Sequence, residues 1–108
     1  MAFDINEVLS NMLNAVKGTV KDNWSTIKDT ANTFLQSRKE RLDLLISLRL
    51  DNQISEELFQ KRLADEQAIL ESELHSIAII SKAIAQQATN AAFDVLGKAV
   101  QAALGTIL

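Results

Sequence analysis

The sequence predicts an all-α protein that folds as a single domain over residues 1–108. The chain has no proline and only three glycines, so few positions end a helix or require a positive φ angle. Apolar residues recur at intervals of three and four along most of its length, which is the period of an amphipathic helix. The one strong polar break lies near the midpoint. Together these observations predict a long antiparallel helical hairpin, with a helix over about residues 4–50, a turn over about 51–55 and a helix over about 56–104.

The first predicted helix begins after Asp4, an acidic residue suited to capping a helix N-terminus. The apolar residues that follow keep the spacing of one helical face; they are Ile5, Val8, Leu9, Met12, Leu13 and Val16. The same period continues to Leu48, so Gly18 is compatible with a bend and does not require the helix to end.

The predicted turn contains Asp51 and Asn52, two residues that favour turns over helices. Ser55 then provides an N-cap for the second helix, and the acids that follow it suit the positive end of the helix dipole. From Leu63 onward a second apolar stripe alternates three and four residues. Thr89-Asn90 is its weakest point, because both residues have modest helix propensity, and a bend near Asn90 is compatible with the pattern.

The segment around the turn carries a recognisable pattern: leucines spaced by three, a polar turn, and Ile-Ser-Glu-Glu-x-Phe at the start of the next helix. This segment, residues 42–63, resembles the short C-terminal domain family, often called SHOCT. The resemblance implies a helical hairpin that serves as an oligomerisation element, and it implies no catalytic residue. The pattern is central in this chain, and Asp51-Asn52 stands where the family often has glycine.

Charge is distributed unevenly along the chain. Residues 38–73 hold fifteen of the 25 charged residues, whereas residues 74–108 hold only Lys82, Asp94 and Lys98. A chain that folds back near residue 52 would therefore have a charged tip and an apolar base. It would also bring Arg38 and Arg41 near Glu66. Because the tip mixes both signs, and nucleic-acid binding needs basic residues gathered on one face, we expect no nucleic-acid partner.

The C-terminal part of the second helix is apolar over most of its circumference. Such a helix must be covered on more than one side, and self-association is one way to cover it. We therefore predict a homo-oligomer that forms through the apolar base. Trp24 keeps the apolar spacing of the first predicted helix, so we expect its ring to be buried in the core or at this interface. The residues expected at this oligomer or membrane interface are Ile5, Val8, Leu9, Met12, Leu13, Val16, Trp24, Ile77, Ile80, Ile84, Phe93, Leu96, Val100 and Leu104.

No motif carries an enzymatic hypothesis, and we expect no catalytic residue, metal or cofactor. Cysteine is absent, and glycine-rich phosphate loops and Gly-x-Ser-x-Gly patterns are absent too. His75 is the only histidine, and Ser72 stands where a Glu-x-x-His iron motif needs its acid. The nearby acids are scattered around the helix, which favours a solvated, salt-paired face over a metal site; they are Asp65, Glu66, Glu71 and Glu73.

Three functions are compatible with this pattern. The first is a non-enzymatic, self-assembling helical protein with its charged tip exposed. The second is a protein that lays its amphipathic ends on a membrane or granule surface, including as a pore-forming subunit, although its polar faces carry few lysines and arginines. The third is a small chaperone or adaptor that holds another protein.

The N-terminus lacks the basic segment of a secretory signal. The longest uncharged stretch is eleven residues, short of the roughly 18–20 that span a bilayer. We expect a cytoplasmic location by default, with leaderless export or peripheral membrane association left open.

Overall fold

The computed structural model describes residues 4–76 and 80–107, with the side chains of 106 and 107 excepted. Within these residues the chain is helical and contains no strand, which confirms the all-α prediction. A short 3-10 helix, Lys21–Asn23, follows the first α-helix. The α-helices are α1 (Ile5–Val20), α2 (Trp24–Ser37), α3 (Lys39–Leu50), α4 (Glu56–Ser76) and α5 (Lys82–Ile107).

Both predicted N-caps are confirmed by hydrogen bonds. Asp4 Oδ1 accepts from the backbone amides of Asn6 at 3.0 Å and Glu7 at 3.2 Å, so it satisfies two free amides at the start of α1. Ser55 Oγ accepts from the amide of Leu58 at 3.1 Å and begins α4 in the same way.

The predicted turn over about 51–55 is confirmed as well. It joins the end of α3 to the start of α4, and Asn52 has a φ angle of 60° within it. Asparagine is one of the few non-glycine residues that adopts this left-handed region at modest cost. The amide of Gln53 donates to the carbonyl of Leu48 at 2.8 Å, which closes the last turn of α3.

The two long, unbroken helices of the predicted hairpin are not present, because the first half of the chain is interrupted. Helix α1 ends at Val20, and Lys21 adopts a φ angle of 52°. The break follows from the polar run Lys21-Asp22-Asn23, since aspartate and asparagine compete with the helix by bonding to nearby backbone. Gly18, where a bend was expected, lies inside α1.

The second half of the chain is interrupted at residues 80–81, which are not helical. Ser81 caps α5, because its Oγ accepts from the amide of Ile84 at 3.1 Å. Asn90, the other expected bend, lies inside an α5 that continues without interruption. These breaks shorten the molecule: its longest dimension is 43 Å, whereas the two-helix hairpin would be roughly 70 Å long.

The break between α2 and α3 is slight. The amide of Arg38 donates to the carbonyl of Phe34 at 3.0 Å, and its own carbonyl accepts from the amide of Leu42 at 2.9 Å. Helical hydrogen bonds thus cross the junction, and α2 and α3 form one bent rod.

The helices form a four-sided bundle whose sides are α1, the α2–α3 rod, α4 and α5. Helix α1 packs most extensively on α5 and also on the rod, and α4 packs on α5 and the rod. Within the described residues α1 and α4 do not approach each other closely, so they lie across one diagonal. Helix α2 does not approach α5 either, whereas α3, the other half of the rod, packs on α5. The apolar faces of α5 are therefore covered by α1 and α4 of the same chain.

Candidate functional site

The residues predicted as an interface lie within the bundle of a single chain. The buried ones are Val8, Leu9, Met12, Val16, Ile80, Phe93, Leu96 and Val100. Those that are partly buried and packed against the same core are Ile5, Leu13, Trp24, Ile84 and Leu104. Ile77 lies outside the described residues. In this arrangement the apolar base is the core of the monomer.

The large apolar side chains that stay exposed in the described residues lie elsewhere, on α3 and α4. Leu44 is 60% exposed, Leu58 is 37% exposed and Ile69 is 38% exposed. None of them was among the interface residues predicted from the sequence. The signal that could have found them is their position: each is an apolar residue that falls outside the core-facing stripe of its helix.

Two charged residues share the outward face of α4 with Leu58 and Ile69. Arg62 and Asp65 follow Leu58 at the fourth and seventh positions, and Ile69 follows at the eleventh, so all four lie on one face of the helix. Both charged side chains are exposed. Within residues 4–76 and 80–107 neither forms an ion pair.

A buried carboxylate lies next to these four residues, on the flank of α4 that meets the α2–α3 rod. The side chain of Glu66 is 3% exposed; Arg38 Nε donates to its Oε2 at 2.8 Å, and Arg41 Nε lies 2.8 Å from its Oε1. The Arg38 guanidinium carbon also lies 6.0 Å from the centre of the Phe34 ring. The predicted approach of both arginines to Glu66 is confirmed, but Glu66 is buried, whereas we expected the acids of this helix to be solvated.

A second ion pair fixes the register between α3 and α4. Arg49 Nε lies 3.3 Å from Glu56 Oε1, so later residues of α3 meet earlier residues of α4. Along α3, Leu44 falls between the residues of the two ion pairs, so it lies at the level of the first half of α4, and its side chain is exposed. We call the surface formed by Leu44, Leu58, Arg62, Asp65 and Ile69 the α3–α4 outer face.

A groove of 420 Å³ lies between α4 and α5. Leu63 and Phe93 give it an apolar floor, and Asp94 and Lys98, whose side chains lie 3.0 Å apart, stand at its edge. The groove also contains amide side chains, which can donate and accept hydrogen bonds. A second cavity, of 520 Å³, lies beside the α3–α4 turn and is lined by Arg49, Leu50, Asn52, Glu56, Gln101, Leu104 and Gly105.

His75 is exposed near the end of α4, as expected from the sequence. In the part of the chain that the structure describes, no three acidic, histidine or cysteine side chains come together as metal ligands. None of the helices in that part has the length and hydropathy needed to cross a membrane. No family model, curated protein or solved structure was found to be similar to this chain.

Proposed function

We propose that the protein is a non-enzymatic helical bundle that associates with copies of itself through the α3–α4 outer face. The observation that carries the proposal is the position of Leu44, Leu58 and Ile69, which are the large apolar side chains left exposed among the described residues of a bundle that otherwise buries its own core. Exposed apolar side chains with polar residues around them are typical of sites where proteins interact.

This surface replaces the apolar base as the place of contact. The base is covered by helices of the same chain, so a second copy could reach it only if the bundle opened. The outer face needs no opening. It also belongs largely to the segment, residues 42–63, whose resemblance to the short C-terminal domain family implies oligomerisation.

Sedimentation equilibrium from low micromolar to near-millimolar concentration tests the proposal. We expect the average mass of the wild-type protein to rise with concentration, and the Leu58→Ser variant to show a smaller rise because the contact loses an apolar side chain. Gln87→Ser, at an exposed position of α5, is the matched control and should behave as wild type. A wild-type protein that stays monomeric at all concentrations contradicts the proposal.

A second candidate function is binding to a lipid surface by an opened bundle. It is favoured by α5, a 26-residue helix whose only charged side chains are Lys82, Asp94 and Lys98. Separated from α1 and α4, α5 could lie on a membrane with its apolar face in the lipid. Co-sedimentation with vesicles of anionic lipid at low salt tests this candidate, and protein that stays in the supernatant excludes it.

A further inference from the structure

The outward stripe of α4 is complementary to itself when reversed. Read forward it is apolar, basic, acidic, apolar: Leu58, Arg62, Asp65 and Ile69. The gaps between these residues are four, three and four, which is the same in either direction. We infer that α4 packs antiparallel against α4 of a second copy, about a two-fold axis that passes between Arg62 and Asp65. This inference rests on the proposed self-association.

In this arrangement each contact occurs twice, as two-fold symmetry requires. Leu58 meets Ile69 of the second copy, and Arg62 meets Asp65 of the second copy. At 1.5 Å per residue the stripe is about 16 Å long, which is three turns of helix-on-helix contact. Parallel pairing in register would instead set Arg62 against Arg62 and Asp65 against Asp65, and like charges in contact oppose association.

The charged residues of this stripe are free to form ion pairs with a second copy. Other arginines of α3 and its junction form ion pairs within the chain: Arg38 and Arg41 with Glu66, and Arg49 with Glu56. Arg62 and Asp65 have no ion-pair partner in the described part of the chain, and they do not pair with each other. A reversed second copy supplies each of them with the opposite charge.

Leu44 extends the contact sideways. It is exposed on α3 at the level of the first half of α4, so we expect a helix lying along the stripe to cover part of its surface as well. The whole contact is still small, since one pair of helices buries much less than a standard interface of about 1,600 Å². The dimer should therefore be one that dissociates on dilution.

A charge exchange tests the pairing. Arg62→Asp places like charges across the axis twice, and so does Asp65→Arg, so each single variant should weaken dimerisation about tenfold or more. The double variant restores opposite charges and should dimerise nearly as wild type. Lys28→Asp, an equal change of charge at an exposed position of α2, should leave dimerisation unchanged. Single and double variants that weaken dimerisation alike would overturn the inference.

Disulfide formation tests the direction, because the chain has no cysteine of its own. Leu58→Cys and Ile69→Cys proteins, one carrying an affinity tag, are mixed under mild oxidation. Antiparallel pairing predicts disulfides between the two different proteins and little between identical ones. Preferred disulfides between two Leu58→Cys chains would indicate parallel pairing and overturn the inference.

The experiments distinguish failure of the α4 pairing from failure of self-association itself. A wild-type protein that dimerises but ignores every substitution in the stripe overturns the α4 pairing and leaves self-association standing, on another surface. A wild-type protein that is monomeric throughout overturns both.

Discussion

At the scale of single residues, Glu66 is paired through both carboxylate oxygens although its side chain is almost fully buried. A buried charge costs several kcal/mol unless it is paired and hydrogen-bonded. Here Arg41, in the first turn of α3, and Arg38, the residue before α3, both pair with the Glu66 carboxylate. Because the arginines keep contact with water, the group serves to fix α4 against the α2–α3 rod more than to add stability.

Replacing Glu66 tests this interpretation. Glu66→Ala removes the carboxylate, leaves Arg38 half-buried without its partner and opens a small void, so we expect a loss of about 2 kcal/mol in the free energy of unfolding. Glu66→Gln keeps the volume and an acceptor and should cost about 1 kcal/mol. Urea denaturation measures both. Glu73→Ala, at an exposed position of the same helix, should stay within about 0.5 kcal/mol of wild type.

At Lys21, by contrast, we expect a substitution that raises the free energy of unfolding. Its φ angle of 52° combined with a ψ angle of −110° is strained for a side-chain-bearing residue. Lys21→Gly removes that strain and should raise the free energy of unfolding by about 1 kcal/mol. Lys17→Gly, inside α1, should lower it by about 1 kcal/mol, because glycine is a poor helix former there. Equal effects from the two substitutions would mean that Lys21 is unstrained.

At the scale of helices, Ser81 decides where α5 begins. It satisfies the amide of Ile84 through its hydroxyl, and its carbonyl accepts from the amide of Ala85 at 3.0 Å. Ser81→Ala should lower the thermal midpoint, corresponding to a loss of about 1 kcal/mol, whereas Ser81→Asp should retain the cap. A Ser81→Ala protein as stable as wild type would show that the cap contributes nothing.

The helices themselves could be predicted from the sequence, but their ends only in part. Asp4 and Ser55 were identified because each precedes a clear apolar stripe, and Asp51-Asn52 because two turn-forming residues stand together. Ser81 was missed because it falls in register with the apolar stripe of α4, so the helical period passes through it. The break at Lys21 was missed for a similar reason: Val20 and Trp24 keep the apolar period on either side of it, so the polar run Lys21-Asp22-Asn23 is also compatible with a solvent-facing turn of a continuous helix.

At the scale of the whole molecule, α5 is covered on two sides by its own chain, and the predicted interface has become a core. Leu96→Asp would bury an unpaired charge at a fully buried position. Its cost of several kcal/mol is comparable to the total stability of a small domain, about 5–15 kcal/mol. We therefore expect loss of cooperative unfolding by circular dichroism, whereas Gln87→Asp should unfold normally. A folded, monomeric Leu96→Asp protein would instead assign Leu96 to an interface between copies.

The candidate site could be predicted less well than the fold. The approach of Arg38 and Arg41 to Glu66 followed from folding the chain back at a known turn. The α3–α4 outer face was not predicted. Its apolar residues fall outside the core-facing stripes, which marks them as candidates for exposure, but the sequence does not show which of them the neighbouring helices leave uncovered. Leu58 and Ile69 became visible as a surface only once the other helices had taken their places.

The junction at Arg38 has one more consequence, which concerns the exchange of amide hydrogens with solvent. Its amide bonds to Phe34 and its carbonyl to Leu42, so no gap in protection separates α2 from α3. In deuterium oxide the two should open together as one cooperative segment. The amides of the 3-10 helix Lys21–Asn23 should exchange sooner than those within α1 and α2, because 3-10 hydrogen bonds have poorer geometry. Exchange would then divide residues 4–76 and 80–107 into four segments, although they contain five α-helices.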